Sequence, residues 1–169
     1  MSQRRVRNTH QNALLHFAKS MVIKYSLALE RFLLTLWVGS LWVTGFMVAP
    51  TLFALLDERA LAGTVAGNLF TKVSYIGLLC GGLLLLQNRL LKRGAGWRVM
   101  VILAMLVLVV VGQFLLAPMI AELRQQGLTE TARFGQLHGL SGVLYLVSSV
   151  LGLALVAAGQ PPGDQSSSL

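Results

Sequence analysis

Four apolar runs, at residues 32–56, 69–86, 99–117 and 137–158, constrain this chain more than any other feature. Each reaches about the 20 residues an α-helix needs to cross a hydrocarbon core about 30 Å thick. Lipid offers no partner to a backbone N–H or C=O, so a spanning run must satisfy its own backbone as a helix. The sequence therefore predicts an all-α fold, an integral-membrane bundle of four transmembrane helices occupying residues 29–158. Composition agrees, with 55% hydrophobic and 12% charged residues against about 25% charged in soluble domains. The first run is longer than the roughly 7–15-residue core of a signal peptide and has no early small-residue cleavage site. It is expected to remain as an anchor.

The flanks set the orientation. The chain has 14 Lys+Arg against 6 Asp+Glu, a formal net charge of +8. No basic stretch is interleaved with aromatics as in single-strand binders, so nucleic acid is not an expected partner. The basic residues instead read as topology signal and as contacts to anionic lipid. Arg4, Arg5, Arg7, Lys19, Lys24 and Arg31 precede span one, and Arg89, Lys92, Arg93 and Arg98 lie between spans two and three. The other two connections hold Arg59 with Lys72, and Arg124 with Arg133. The excess predicts a multi-pass protein with both termini cytoplasmic, and the membrane expected to hold it is a bacterial inner membrane. Residues 1–28 read as a basic cytoplasmic segment, either surface-lying or unordered, with Met1 and Met21 both open as start positions. Residues 159–169, rich in Pro, Gly and Ser, read as a disordered tail.

A shift of 68 residues superposes the halves weakly. Phe46, Ala49 and Pro50 fall on Phe114, Ala117 and Pro118; Leu55 falls on Leu123, Gly67 on Gly135 and Leu69 on Leu137. A duplicated two-helix hairpin would give repeats running in the same direction, related by an axis along the membrane normal. Pro50 and Pro118 would each kink or end a helix near one surface.

Polar residues in the runs mark the candidate site. On span four His138, Ser141, Tyr145, Ser148 and Gly152 recur at steps of three and four, which places them on one face. Two readings stay open: close helix packing with interhelical hydrogen bonds, or the lining of a polar cavity. Gly139 and Gly142 join that helix as packing residues, as do Gly77 and Gly81 beside Ser74 on span two. His138 is the single metal-ligand candidate near a span, and a complete zinc site needs about four ligands. Trp37 shares a face with Ser40 and Thr44 on span one. Gln113 is a lone amide in span three and is expected to bond a Ser or Tyr of span four. Cys80, the one cysteine, reads as a packing residue. Walker, GxSxG, HExxH and CxxC motifs are absent, and no catalytic residue or cofactor is assigned.

The run from Phe134 to Gly142, with His138, Gly139, Leu140 and Ser141 at its centre, resembles the transmembrane protein 205-like family, whose bacterial members form domain-of-unknown-function groups. Trp37 and Gly39, then Ala49, Pro50 and Phe53, carry the same resemblance in span one. It covers roughly residues 29–158 and implies four spans but no reaction. A more distant similarity links the chain to four-span proteins of the CopD copper-resistance and HemJ porphyrin-oxidising types. The HemJ type relies on a first-span histidine, which this chain lacks.

The leading functional expectation is a non-enzymatic binding, assembly or accessory subunit, with the bilayer and a second copy or another membrane protein as partners. The alternative is a metal, haem or small-amphiphile handler whose ligand-binding residues would be His138, Ser141, Tyr145, Gln113 and Trp37.

Overall fold

The computed structural model describes residues 2–158, and of residues 2–15 and 18 the backbone alone. The tail expected at 159–169 lies outside the described residues. The described residues are helical with short connections: α1 (Ser2–Trp42), a first π segment (Val43–Val48), α2 (Ala49–Leu55), α3 (Arg59–Leu90), α4 (Trp97–Val110), a second π segment (Val111–Leu116), α5 (Ala117–Gln125) and α6 (Ala132–Ala157). Four stretches are long and apolar enough to cross a membrane, at Lys19–Leu55, Arg59–Leu90, Trp97–Gln125 and Ala132–Ala157. The helices overrun the apolar runs because apolarity marks the depth of lipid contact, whereas helix ends are set by caps and turns.

The chain divides into two bodies at Phe32 and Leu33. The first is the leading part of α1, with Phe17, Tyr25, Leu29 and Phe32 exposed. Its backbone is helical from Ser2. The second body carries the bundle. In it α4 packs against α3 and α6, α2 against α3, and α5 against α6. Its core joins Trp37, Leu41, Val73, Cys80, Leu84, Ile102, Met105, Val109 and Leu155.

The turns follow local chemistry. After α5, Leu128 N–H donates to Leu123 C=O (2.9 Å) and Gly127 N–H to Arg124 C=O (3.1 Å), a Schellman closure with Gly127 at φ +71°. Thr131 caps α6, its hydroxyl accepting from Phe134 N–H at 3.3 Å. α3 ends in the same closure: Arg93 N–H donates to Asn88 C=O (3.0 Å) and Lys92 N–H to Arg89 C=O (3.1 Å). Here the left-handed residue is Lys92, at φ 50°. An L-residue there is strained by roughly 1 kcal/mol. Lys92→Gly is therefore expected to stabilise the protein by about that amount, read as a shift in its unfolding midpoint in mixed micelles.

The repeat extends into the packing. The π segments begin at Val43 and Val111, the same 68 residues apart as the Ala-Pro pairs that follow them. Buried positions also pair at that spacing: Leu34 with Ile102, Trp37 with Met105, Leu41 with Val109, Cys80 with Ser148, and Leu84 with Gly152. The cause of the π segments is local. Pro50 and Pro118 have no N–H, and each ring crowds the carbonyl four residues back. The turn before each proline widens, so Ala49 N–H donates to Thr44 C=O and Ala117 N–H to Gly112 C=O, five residues back in each case. Each proline then opens the next α segment, where its fixed φ suits the first turn.

Candidate functional site

Tyr145 is the centre of the span-four stripe. Its hydroxyl donates to Leu41 C=O at 2.5 Å and lies beside Gly45, four residues on. The tyrosine hydroxyl thus meets the backbone of span one at the entry to the first π segment. Gly45 makes this approach feasible: an added Cβ would overlap the Tyr145 ring. Phe70 meets that ring edge-on at 4.9 Å. One turn further, Ser149 donates to Tyr145 C=O (2.9 Å), and Trp42 Nε1 donates to Ser149 C=O (3.3 Å). Span four is bolted to span one by its polar groups.

Gln113 occupies the position equivalent to Gly45 in the second repeat. Its Nε2 donates to Thr71 Oγ1 at 3.4 Å, which corrects the expected bond to a Ser or Tyr of span four. The pseudo-symmetry supplies the reason. If Gly45 of span one faces span four, its counterpart in span three faces span two. Exchanging Gln113 for leucine should lower stability by about 0.6 kcal/mol, the average for such bonds in lipid, as read from the same unfolding midpoint.

The glycines fall into two groups. An added Cβ at Gly77 would lie 2.5 Å from Trp37 Nε1, at Gly81 2.6 Å from Leu106 Cδ2 and 3.0 Å from Trp37 Cζ3, and at Gly152 2.8 Å from Val38 Cγ2. Each of the three is a close approach to a neighbouring helix. At Gly139 and Gly142 an added Cβ meets nothing within 4 Å, because that part of α6 is exposed, and the close packing expected of them is not made within the described chain. Trp37 is fully buried, and its Nε1 has no hydrogen-bond partner among the described residues.

Burial rises along the stripe. His138 is exposed, Ser141 and Tyr145 are half-buried, and Ser148 and Gly152 are buried. His138 joins a different group, stacked on Phe134 with centroids 5.8 Å apart and planes within 6°. Arg124 lies over the Phe134 ring at 6.0 Å. The arginine reaches α3 where glycines clear the surface: an added Cβ at Gly63 would lie 3.3 Å from Nη2, and at Gly67 3.6 Å from Nη1. Thus the five candidates do not form one site: Tyr145 is at the first π segment, Gln113 at the second with Thr71, Trp37 in the core and His138 with Phe134, while Ser141 stands between Tyr145 and His138 on α6. Among the described residues no three His, Cys, Asp or Glu side chains gather as metal ligands.

Sequence reasoning passed over Gly45, Trp42 and Phe70, and took Arg124 and Phe134 only as a topology charge and as the start of the resembling run. A glycine five residues before Pro50 was the available signal for the first of these. Arg124 carried none, since it counts in the sequence as one topology charge among several.

The family described as a domain of unknown function (DUF4149) matches residues 32–129. The chain belongs to this family. Within DUF4149 the matched segment takes in both π segments, Gly45, Gly77 and Arg124, and stops before α6. The run from Phe134 to Gly142 that carries the transmembrane protein 205-like resemblance lies beyond it. No curated protein and no solved structure matches the chain.

Proposed function

We propose that this DUF4149 protein is a non-enzymatic binding or accessory subunit of a bacterial inner membrane, with both termini cytoplasmic. One observation carries the reading. The hydroxyl, indole and amide groups of Tyr145, Trp42, Ser149, Gln113 and Thr71 are bonded across or along the helices. Polar groups used in this way hold spans together and are not free to work on a substrate. Gly139 and Gly142 meanwhile leave a small-residue strip of α6 open towards lipid, a surface suited to a neighbouring helix. A photo-reactive residue at Gly142 should cross-link to a second copy or to another membrane protein in native membranes. A strict monomer without adducts, together with single-chain mass in native spectrometry, overturns the proposal.

Orientation has its own test. In a Cys80→Ser background, Thr129→Cys is expected to react with an impermeant maleimide in intact cells, and Lys92→Cys only after lysis. The reverse pattern reverses the topology. The resemblance to transmembrane protein 205-like proteins implies four spans and supplies no chemistry.

A second reading, handling of a metal, haem or small amphiphile, is favoured in its amphiphile form by the Arg124, Phe134 and His138 group. A visible spectrum and elemental analysis of the purified protein separate the three: a Soret band or stoichiometric metal would displace the amphiphile form.

A further inference from the structure

The Arg124 guanidinium is half-buried between three helices, yet it is not spent on an acid. It makes no ion pair and no hydrogen bond among the described residues. Acidic side chains stand near it in sequence, but the carboxylate of Glu122 accepts from Gln126 at 3.2 Å. A partly buried guanidinium with unfilled donors is costly unless something accepts from it. What surrounds it is specific. Its Cζ lies over the Phe134 ring at 6.0 Å, and its Nη atoms lie beside Gly63 and Gly67 of α3, whose missing side chains make the room. A guanidinium is planar and holds its N–H donors in a fixed fork. That fork fits the paired oxygens of a phosphate or carboxylate.

Depth narrows the choice. Arg124 ends the stretch Trp97–Gln125, while Gly63 stands near the start of Arg59–Leu90 and Phe134 near the start of Ala132–Ala157. The group therefore sits at an end of three spanning helices, at the level of lipid phosphates and not of acyl chains. His138, exposed and stacked on Phe134, adds a donor at the same end.

We propose that Arg124, seated at Gly63 and Gly67 and over the ring of Phe134, with His138 near that ring, is a phosphate-oxyanion site at this end of the bundle. The ligand class is a phosphate group, carried by an anionic phospholipid or free in solution. This goes beyond the accessory-subunit reading and does not need a protein partner.

The full chain, purified in a maltoside detergent, is titrated with phosphatidylglycerol, with diacylglycerol of the same acyl chains, and with inorganic phosphate. Bound adducts are followed by native mass spectrometry. Phosphatidylglycerol is expected to bind and diacylglycerol not to. Arg124→Gln should weaken that binding about tenfold or more, the loss expected for hydrogen bonds to a charged group, with Arg133→Gln as the charge-matched control. Arg124→Lys, which keeps the charge but loses the fork, should fall between, and it serves where the glutamine variant does not fold. Displacement of the lipid by inorganic phosphate, or phosphate binding alone, assigns the site to the free anion and still supports it. Equal binding by wild type, Arg124→Gln and Arg124→Lys overturns it, as does equal retention of phosphatidylglycerol and diacylglycerol.

Discussion

Valine at position 77 is expected to destabilise the bundle by about 3 kcal/mol, the upper range for overpacking a tight core. An added Cβ there would stand 2.5 Å from Trp37 Nε1 and 3.0 Å from Cε2. A rigid bicyclic ring has no flexible end to give way, and Trp37 is fully buried with Met105 and Leu155 in the same core. The indole must leave its place or the two helices must separate. Gly82→Val is the control, since five residues along the same helix an added Cβ meets nothing within 4 Å. Its effect should be within about 0.5 kcal/mol, as at exposed sites generally. Reversible unfolding in mixed micelles reads both. Equal effects at the two positions would mean that close approach between α1 and α3 does not hold the bundle.

Gly45→Val is the other large effect. The substitution drives a branched side chain into the Tyr145 ring and breaks the bond from its hydroxyl to Leu41 C=O. Overpacking and the lost hydrogen bond together should destabilise by about 3 kcal/mol. Tyr145→Phe keeps the ring and removes the bond, for about 1 kcal/mol. The double variant Gly45→Val, Tyr145→Ala distinguishes the causes. With the ring gone the valine has room, so the double variant should be more stable than the sum of the single effects predicts. Simple additivity would show that Gly45 and Tyr145 do not act on each other.

The architecture was legible because lipid leaves the backbone one solution at this length, and the four runs are plain in the sequence. The duplication was legible in Ala49-Pro50 and Ala117-Pro118. The widened turns before them were not, because nothing in an apolar run shows where a proline's missing N–H will be absorbed. Periodicity places His138, Ser141 and Tyr145 on one face, but it carries no information on how deeply a neighbour covers that face. The helix passes from exposed at His138 to buried at Ser148, so one stripe became a lock at Tyr145 and an outlying ring at His138. Gln113 was misassigned because its direction depends on the relation between the halves, which only the assembled bundle displays. Arg124 was counted as a charge when its surroundings, two glycines and a phenylalanine from other helices, were the informative part.

The halves are built alike but held differently. In the first, a tyrosine from span four bonds to the backbone at the mouth of the widened turn. In the second the matching position on span two is Gly77, which has no side chain to offer, and among the described residues no side chain is bonded into that backbone. The first half is thus a post and the second a compliant arm. Amide exchange across residues 117–125 should outpace that across 49–55, and strain imposed by a neighbour in the bilayer is taken up at the second turn while the first stands still.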